Sequence, residues 1–294
     1  MTRIGVVGAG RVGAVLAAAL RDAGHEITAA AGESAASRNR IATLLPGVRA
    51  DKPTSVARSC DLLLLTVPDD MLSNVVTMLA ASGALRPGQH VVHTSGKHGV
   101  SVLEPAVRVG AKVLAMHPAM TFTGTDVDLA RLRGCVFGVT AGEGTRALAE
   151  SLVADLGGST VWVEEDRRTL YHAGLAHGAN HLVTLVAQAM DLLRASGADD
   201  PAGTLRPLLT AALDNALRSG DAALTGPIVR GDVETVRAHV ADIAATSPTT
   251  LESYVVLARA TANRAVLDGR LLPIRAAKLV GILNDALVPA PSRG

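Results

Sequence analysis

The sequence is short of several things, and each shortage removes a class of function. It has two cysteines, Cys60 and Cys135, far apart and in no ligand-like spacing. A disulfide framework is thereby excluded, and a reducing cytoplasm fits best. Basic and acidic residues nearly cancel, at 28 against 27, and no polybasic block occurs. Nucleic acid and anionic membranes are poor partners for such a surface, which leaves a small molecule as the expected one. Lysine is confined to Lys52, Lys97, Lys112 and Lys278. The opening MTRIGVVGAGRVGAVLAAAL could pass for a signal peptide, but Arg11 interrupts its apolar stretch and its glycines are regularly spaced. No other run is long and apolar enough to span a bilayer. The expectation is a soluble, cytoplasmic protein without internal repeats.

What is present is an alternation. In the first half of the 294 residues, short apolar runs alternate with longer amphipathic segments. IGVVG (4–8), EITAAA (26–31), LLLLTV (62–67), HVVHT (90–94), KVLAM (112–116), CVFGVT (135–140) and TVWV (160–163) read as strands. Most are continuous rather than alternating, as a parallel sheet covered on both faces requires. This is the pattern of a doubly wound α/β domain. After EEDRR (164–168) no strand pattern is convincing, and helices are expected at about 167–196, 201–219, 232–245, 248–268 and 274–287. The reading is a Rossmann domain over 1–164 followed by an all-helical domain over 165–294.

Gly8-Ala9-Gly10-Arg11-Val12-Gly13 is GxGxxG, placed directly after the first strand and opening a helix. In that context the first glycine makes the turn and the second admits a pyrophosphate. The third lets helix and strand pack closely. An NAD site usually ends its second strand with an acidic residue, and here that place falls near Ala31. Ser34, Ser37 and Arg38 follow and suit a 2′-phosphate, so NADPH is favoured over NADH, with Glu33 as the awkward residue. TVPDD (66–70) should put Val67 and Pro68 beside the nicotinamide half, with Asp69 or Asp70 capping a helix that begins near Met71.

HTSG (93–96) and MHP (116–118) end two later strands. Ser95 and His117 should therefore face one crevice, with His93 held in the sheet as a structural imidazole. His117 precedes a proline, which fixes its backbone direction, and a histidine can protonate a nascent alkoxide. YHAGLAHGANHL (171–182) carries three histidines and an asparagine on one helix. At about 100° per residue, His172 and Asn180 lie within roughly 80° of each other beside small residues. His177 and His181, spaced i, i+4, suit either a metal or a supporting role, the latter preferred; no metal is expected. In ALTGPIVRGD (223–232), Asp232 is a natural N-cap. Arg230 would then sit beside a helix N-terminus, fit for a carboxylate, or simply on a surface loop.

GVVGAGRVG, HTSG, MHP, YHAGLAHGANHL and ALTGPIVRGD, in this order, resemble a family of Rossmann-like proteins with a helical C-terminal domain of unknown function. The family lies near the 6-phosphogluconate dehydrogenase superfamily, and some members resemble an alternative class of ketopantoate reductase. The resemblance implies NADPH-dependent reduction of a branched 2-oxo acid, a helical domain that closes over the nicotinamide, and a homodimer. Hydroxyacid dehydrogenases carry a lysine one turn before the asparagine that Asn180 matches, and here that place is Ala176. Prephenate dehydrogenases use a serine, a histidine before proline and further histidines, to which Ser95, His117 and His172 are similar in kind and order. The expected chemistry is hydride transfer to a small carboxylated carbonyl compound. His117 or His172 supplies the proton, Ser95 and Asn180 orient the carbonyl, and Arg230 holds the carboxylate. The alternatives are a prephenate-dehydrogenase-like oxidation and an NADPH-binding sensor without turnover.

Overall fold

Leu62, Leu63, Leu64 and Leu65 show how the apolar runs become strands of a covered sheet. All four are buried. Successive side chains of a strand point to opposite faces. Accordingly Leu62 and Leu64 join one cluster with Val15, Leu16 and Leu152, while Leu63 and Leu65 join another with Val56, Leu72 and Leu79.

The computed structural model describes residues 1–287. Its strands are β1 (Arg3–Val7), β2 (Glu26–Ala31), β3 (Arg49–Ala50), β4 (Leu62–Leu65), β5 (His90–His93), β6 (Lys112–Pro118), β7 (Val136–Ala141) and β8 (Ser159–Trp162). They form one sheet in the order β3-β2-β1-β4-β5-β6-β7-β8. Helices α1 (Arg11–Asp22), α2 (Ala35–Leu44), α3 (Pro53–Arg58), α4 (Asp69–Ala81), α5 (Glu104–Arg108), α6 (Val127–Leu132) and α7 (Glu143–Asp155) connect them. The chain winds outward from β1 to β3 and then returns to β4 on the other side of β1. The topological switch point is therefore the β1/β4 crevice, where open α/β sheets take their ligands.

Three details differ from the sequence reading. The first six strands are parallel, but β7 runs antiparallel to β6 and β8 follows β7. The six residues of α6 span only about 9 Å. That is too short to return the chain along a seven-residue strand of about 23 Å. The chain instead turns back beside β6. The two-residue strand β3 was not expected, since RA carries no apolar run. Asp69 and Asp70 lie inside the first turn of α4 and cap nothing; Pro68 stands at the cap position. There they still favour the helix dipole.

The remaining helices are α8 (Arg168–Leu175), α9 (His181–Ala195), α10 (Pro201–Ser219), α11 (Pro227–Arg230), α12 (Val233–Thr246), α13 (Pro248–Leu267) and α14 (Pro273–Asp285). Among the described residues, five helices begin at a proline, Pro53, Pro201, Pro227, Pro248 and Pro273, where the missing N–H costs nothing. A π-helical turn, Ala176–Asn180, stands between α8 and α9. Its wider winding breaks the 100° register, so the angle expected between His172 and Asn180 does not hold.

The chain divides into two compact units, Met1–Gly178 and Ala179–Gly294. The last described strand ends at Trp162, whereas the division into units falls after Gly178, beyond the expected boundary at 164. The first unit runs further because α8 anchors to the sheet through the buried Arg168. The second unit is helical, with a core of Ile228, Val236, Ile243, Val255, Leu279 and Leu283 among others. It also leaves Leu182, Val183, Leu185, Leu208, Leu213 and Leu217 exposed. No described helix is long and apolar enough to cross a membrane.

Candidate active site

The glycine loop is built by exclusion. Gly8 has φ +98°, and a Cβ there would lie 2.7 Å from the Thr66 carbonyl carbon and the Val67 nitrogen. The Gly8 and Ala9 amides donate to the Ala31 carbonyl at 3.0 and 2.8 Å, which fixes the turn to the end of β2. At Gly10 nothing comes closer than 3.8 Å, so that face of the backbone is open to a ligand. Gly10 caps α1 without a side-chain bond, leaving first-turn amides of the helix for an anion. A Cβ on Gly13 would stand 2.1 Å from Thr66 Oγ1 and 2.6 Å from the Gly8 carbonyl oxygen. Close packing of α1 on β1 and β4 demands glycine there.

A cavity of about 750 Å³ opens over this loop, lined by Gly8, Ala9, Gly10, Ser34, Ser37, Arg38, Val67 and Pro68 among others. Its size suits a small-molecule or cofactor site. Arg11 and Val12 do not line it: Arg11 is the exposed first residue of α1, and Val12 packs on the core. At the far end Ser34 caps α2 by accepting from the Ser37 amide at 3.0 Å, and Ser37 Oγ donates back to the Ser34 carbonyl at 2.8 Å. Arg38 donates to the Glu33 carbonyl and has no carboxylate partner among the described residues. Asp51 and Lys52 close the same end. Sequence reasoning missed them because the short β3 that places them has no pattern.

Further along the carboxyl ends of the strands lies a histidine cluster. His93 is fully buried at the end of β5, with Nε2 2.8 Å from the Gly99 carbonyl and Nδ1 accepting from the Ser95 amide at 3.1 Å. Its proton is therefore on Nε2. Burial pulls its pKa down to about 4. Ser95 is buried too, and its Oγ accepts from the His98 amide at 3.1 Å, within its own turn. Gly96 follows. A Cβ there would meet His172 Cδ2 at 2.4 Å and His117 Nε2 at 3.1 Å.

The structure thus brings together His117 from β6 and His172 from α8, with ring centroids 5.8 Å apart, over Gly96. Burial, and then the nearby charges of Arg168 and His172, pull the His117 pKa down to about 4, so the ring is neutral near pH 7. Two partners had no sequence signal. Tyr171 places its hydroxyl 3.1 Å from His117 Nδ1. Its ring lies on Gly138, which stands opposite His117 in the β6–β7 ladder, and a Cβ there would meet the hydroxyl at 2.5 Å. Arg168, 1% exposed, donates to the Gly138 carbonyl at 2.9 Å and to the Ser95 carbonyl. Glu165, beside it in the chain, accepts from the Val100 and Ser101 amides at 2.7 and 3.0 Å. The segment before α8 thereby holds the HTSG loop in place. Arg168 was visible in sequence only as one of several charges in EEDRR.

Asn180 and Arg230 belong to the second compact unit. Asn180 ends the π-helical turn and is exposed. Arg230 is the exposed last residue of α11, and Arg275 donates to its carbonyl at 3.4 Å. Asp232 caps α12, accepting from the Thr235 amide at 3.1 Å. Among the described residues, no group of three or more histidine, cysteine or acidic side chains could hold a metal ion.

Comparison with known proteins agrees with this anatomy. The family model of a Rossmann-like domain matches residues 1–118, and that of a domain of unknown function, DUF2520, matches residues 135–261. A sequence search of curated proteins finds no match. Among solved structures, BF3122 of Bacteroides fragilis, assigned as an NADP oxidoreductase, is 19% identical with a TM-score of 0.76, over 89% of this chain and 98% of its own. TM1727 of Thermotoga maritima is 19% identical with a TM-score of 0.67, over 90% and 99%. A reductive aminase of Aspergillus terreus, in complex with NADPH and ethyl levulinate, is 20% identical with a TM-score of 0.64, over 98% and 100%. At these identities the likeness is one of fold.

Proposed function

The chain joins a Rossmann-like domain to a DUF2520 helical domain, and from that premise we propose that it is an NADPH-dependent oxidoreductase reducing a small carboxylated carbonyl compound, a 2-oxo acid of the ketopantoate type. The observation that carries the reading is the single row of strand ends running from Gly8 through Pro68 and Gly96 to His117. Neighbouring strands lie about 4.8 Å apart, so the glycine loop and His117 are three strand spacings, roughly 14 Å, from each other. A dinucleotide laid across the switch point would have its pyrophosphate on the Gly10 amides and its nicotinamide towards the histidines.

In this reading Ser34, Ser37 and Arg38 hold the 2′-phosphate. The bound cofactor supplies the hydride. His117 and His172 give the carbonyl oxygen its proton, Ser95 shapes the loop beneath them, and Asn180 and Arg230 are the residues proposed to bind the substrate. The complexes of NADPH with the reductive aminase support the cofactor by analogy of fold. The exposed leucines of the helical unit support a homodimer formed through it.

NADPH consumption with ketopantoate and a panel of other 2-oxo acids tests the reading. Turnover with a branched 2-oxo acid is expected, and silence across the panel with NADPH bound would remove the reductase. In a turning-over enzyme, Asn180→Ala should lower kcat far more than cofactor affinity. Glu33, at the cavity rim, favours a second reading in which NAD⁺ oxidises a prephenate-like substrate. Tighter binding of NAD⁺ than of NADP⁺ would select it.

A further inference from the structure

Three facts about α8 have no place yet in the reaction. The Tyr171 hydroxyl lies 3.1 Å from His117 Nδ1, with the rings edge-on and 5.7 Å apart between centroids. Arg168 is buried with its Nε unpartnered, and among the described residues no carboxylate hydrogen-bonds to its guanidinium. The same guanidinium lies 5.8 Å from the centre of the Tyr171 ring. A buried cation that the Glu165 and Asp69 carboxylates reach only at longer range is costly and calls for a use. Its other contacts are neutral oxygens, so a negative charge arising nearby would find the site already arranged for it.

We propose that Tyr171 is the positioning residue that refills His117 with a proton, and that Arg168 holds the phenolate formed in that step. The step rests on the reductase reading above. As hydride reaches the carbonyl carbon, the substrate oxygen forms a bond to the proton of His117 Nε2, and the Nε2–H bond breaks. At the same time Nδ1 of His117 forms a bond to the Tyr171 proton, and the tyrosine O–H bond breaks. The imidazole is neutral before and after. One proton has passed from phenol to alkoxide; between turnovers water supplies a new proton to His117 Nε2 as the Nδ1 proton returns to the Tyr171 phenolate, which restores the starting tautomer.

A neutral imidazole that gave up Nε2–H unaided would be left as an anion, which is why a second proton is needed behind it. Burial keeps His117 neutral, so an imidazolium donor is scarce near pH 7. Burial holds the Tyr171 phenol above its ordinary range, and the Arg168 charge offsets only part of that rise. The groups facing His117 are Tyr171 and His172 from α8, Arg168 at the start of that helix, and Asp69 at the start of α4. Of these only Tyr171 is both bonded to the ring and able to give a proton. The tyrosine has no signal in the sequence, because its partner lies 54 positions away.

The first test uses the protein without substrate. Long-range ¹H–¹⁵N spectra of the histidines at pH 7 should show His117 carrying its proton on Nε2, with Nδ1 shifted as a hydrogen-bond acceptor. Tyr171→Phe should convert it to a mixture of tautomers. A wild-type ring protonated on Nδ1 would overturn the proposal, since the tyrosine would then be an acceptor.

Should Tyr171→Phe fail to fold, Tyr254→Phe leaves Tyr171 the sole tyrosine, because the chain has two. Replacing it by 3-fluorotyrosine keeps the ring and makes a stronger acid. The His117 Nδ1 resonance should then move further in the acceptor direction, and an unmoved resonance would count against the relay. With a substrate from the panel, Tyr171→Phe should lower kcat roughly a hundredfold at unchanged KM; an equal fall in kcat and in cofactor affinity would mean a merely structural role. If no 2-oxo acid turns over, the reductase reading fails while the tautomer result still decides whether the phenol is the donor.

Discussion

The side chain of Thr66 occupies the space that a β-carbon on Gly13 would need, 2.1 Å from Thr66 Oγ1, and the same hydroxyl donates to the Gly8 carbonyl at 2.6 Å. One threonine thus ties the first glycine of the loop to the third. Gly13→Ala should destabilise the protein by about 1–3 kcal/mol, the usual cost of overpacking. Urea unfolding of the two proteins would measure it, and a variant as stable as wild type would mean that the helix can lift off the sheet freely.

Arg38 stands at the cavity end that would take a 2′-phosphate, without a carboxylate partner among the described residues. A bond to a charged group contributes about 1.5–3 kcal/mol. Arg38→Ala should therefore weaken NADPH binding by about tenfold or more while leaving NADH binding nearly unchanged. Calorimetric titration with both nucleotides checks this. A parallel loss in both would assign Arg38 to the loop's structure.

Gly96 leaves no room for a methyl group beneath His172 and His117. Gly96→Ala should displace His172, abolish most turnover, and leave nucleotide affinity within about twofold, since Gly96 does not line the nucleotide cavity. Histidine side-chain NMR on the variant would show the displacement directly, and unchanged His172 resonances would contradict the packing.

Stability should fall in acid by way of the neutral histidines. His93 and His117 are both held near 4, below their ordinary 6.5, chiefly by burial. Protonation therefore favours the unfolded chain. The stabilisation is fully present above pH 6.5 and is lost as pH falls from there towards 4, by about 3 kcal/mol for His93 alone. Urea midpoints measured between pH 7.5 and 4 should decline across that window; a flat profile would mean that both rings titrate as they do in water.

Leu182, Leu185, Leu208, Leu213 and Leu217 are exposed on the helical unit. A second copy of the chain is the expected cover. Sedimentation equilibrium should give a dimer, and Leu185→Glu should shift it towards monomer without changing the far-ultraviolet circular dichroism. A wild-type monomer would show that this face is used otherwise.

Much of this protein is written in local pattern. Continuous apolar runs such as LLLL, glycine pairs and helix-opening prolines define the sheet, the turns and the helical second unit, because period, φ and the missing proline N–H act within a few residues. The glycine loop is legible for the same reason: strand, turn and helix N-terminus are consecutive, so the spacing alone specifies an anion cradle.

Tertiary structure decided what spacing cannot carry. The reversal of β7 depended on how short α6 is, and it set Gly138 beside His117, opening the space that the Tyr171 ring fills. The π-helical turn broke the register that a regular helix would have kept between His172 and Asn180. His117, Tyr171, Arg168 and Gly96 come from a strand, a helix and a loop distant in sequence. Their meeting, and the neutral state of the imidazole at its centre, arise from burial against one another, which no single segment encodes.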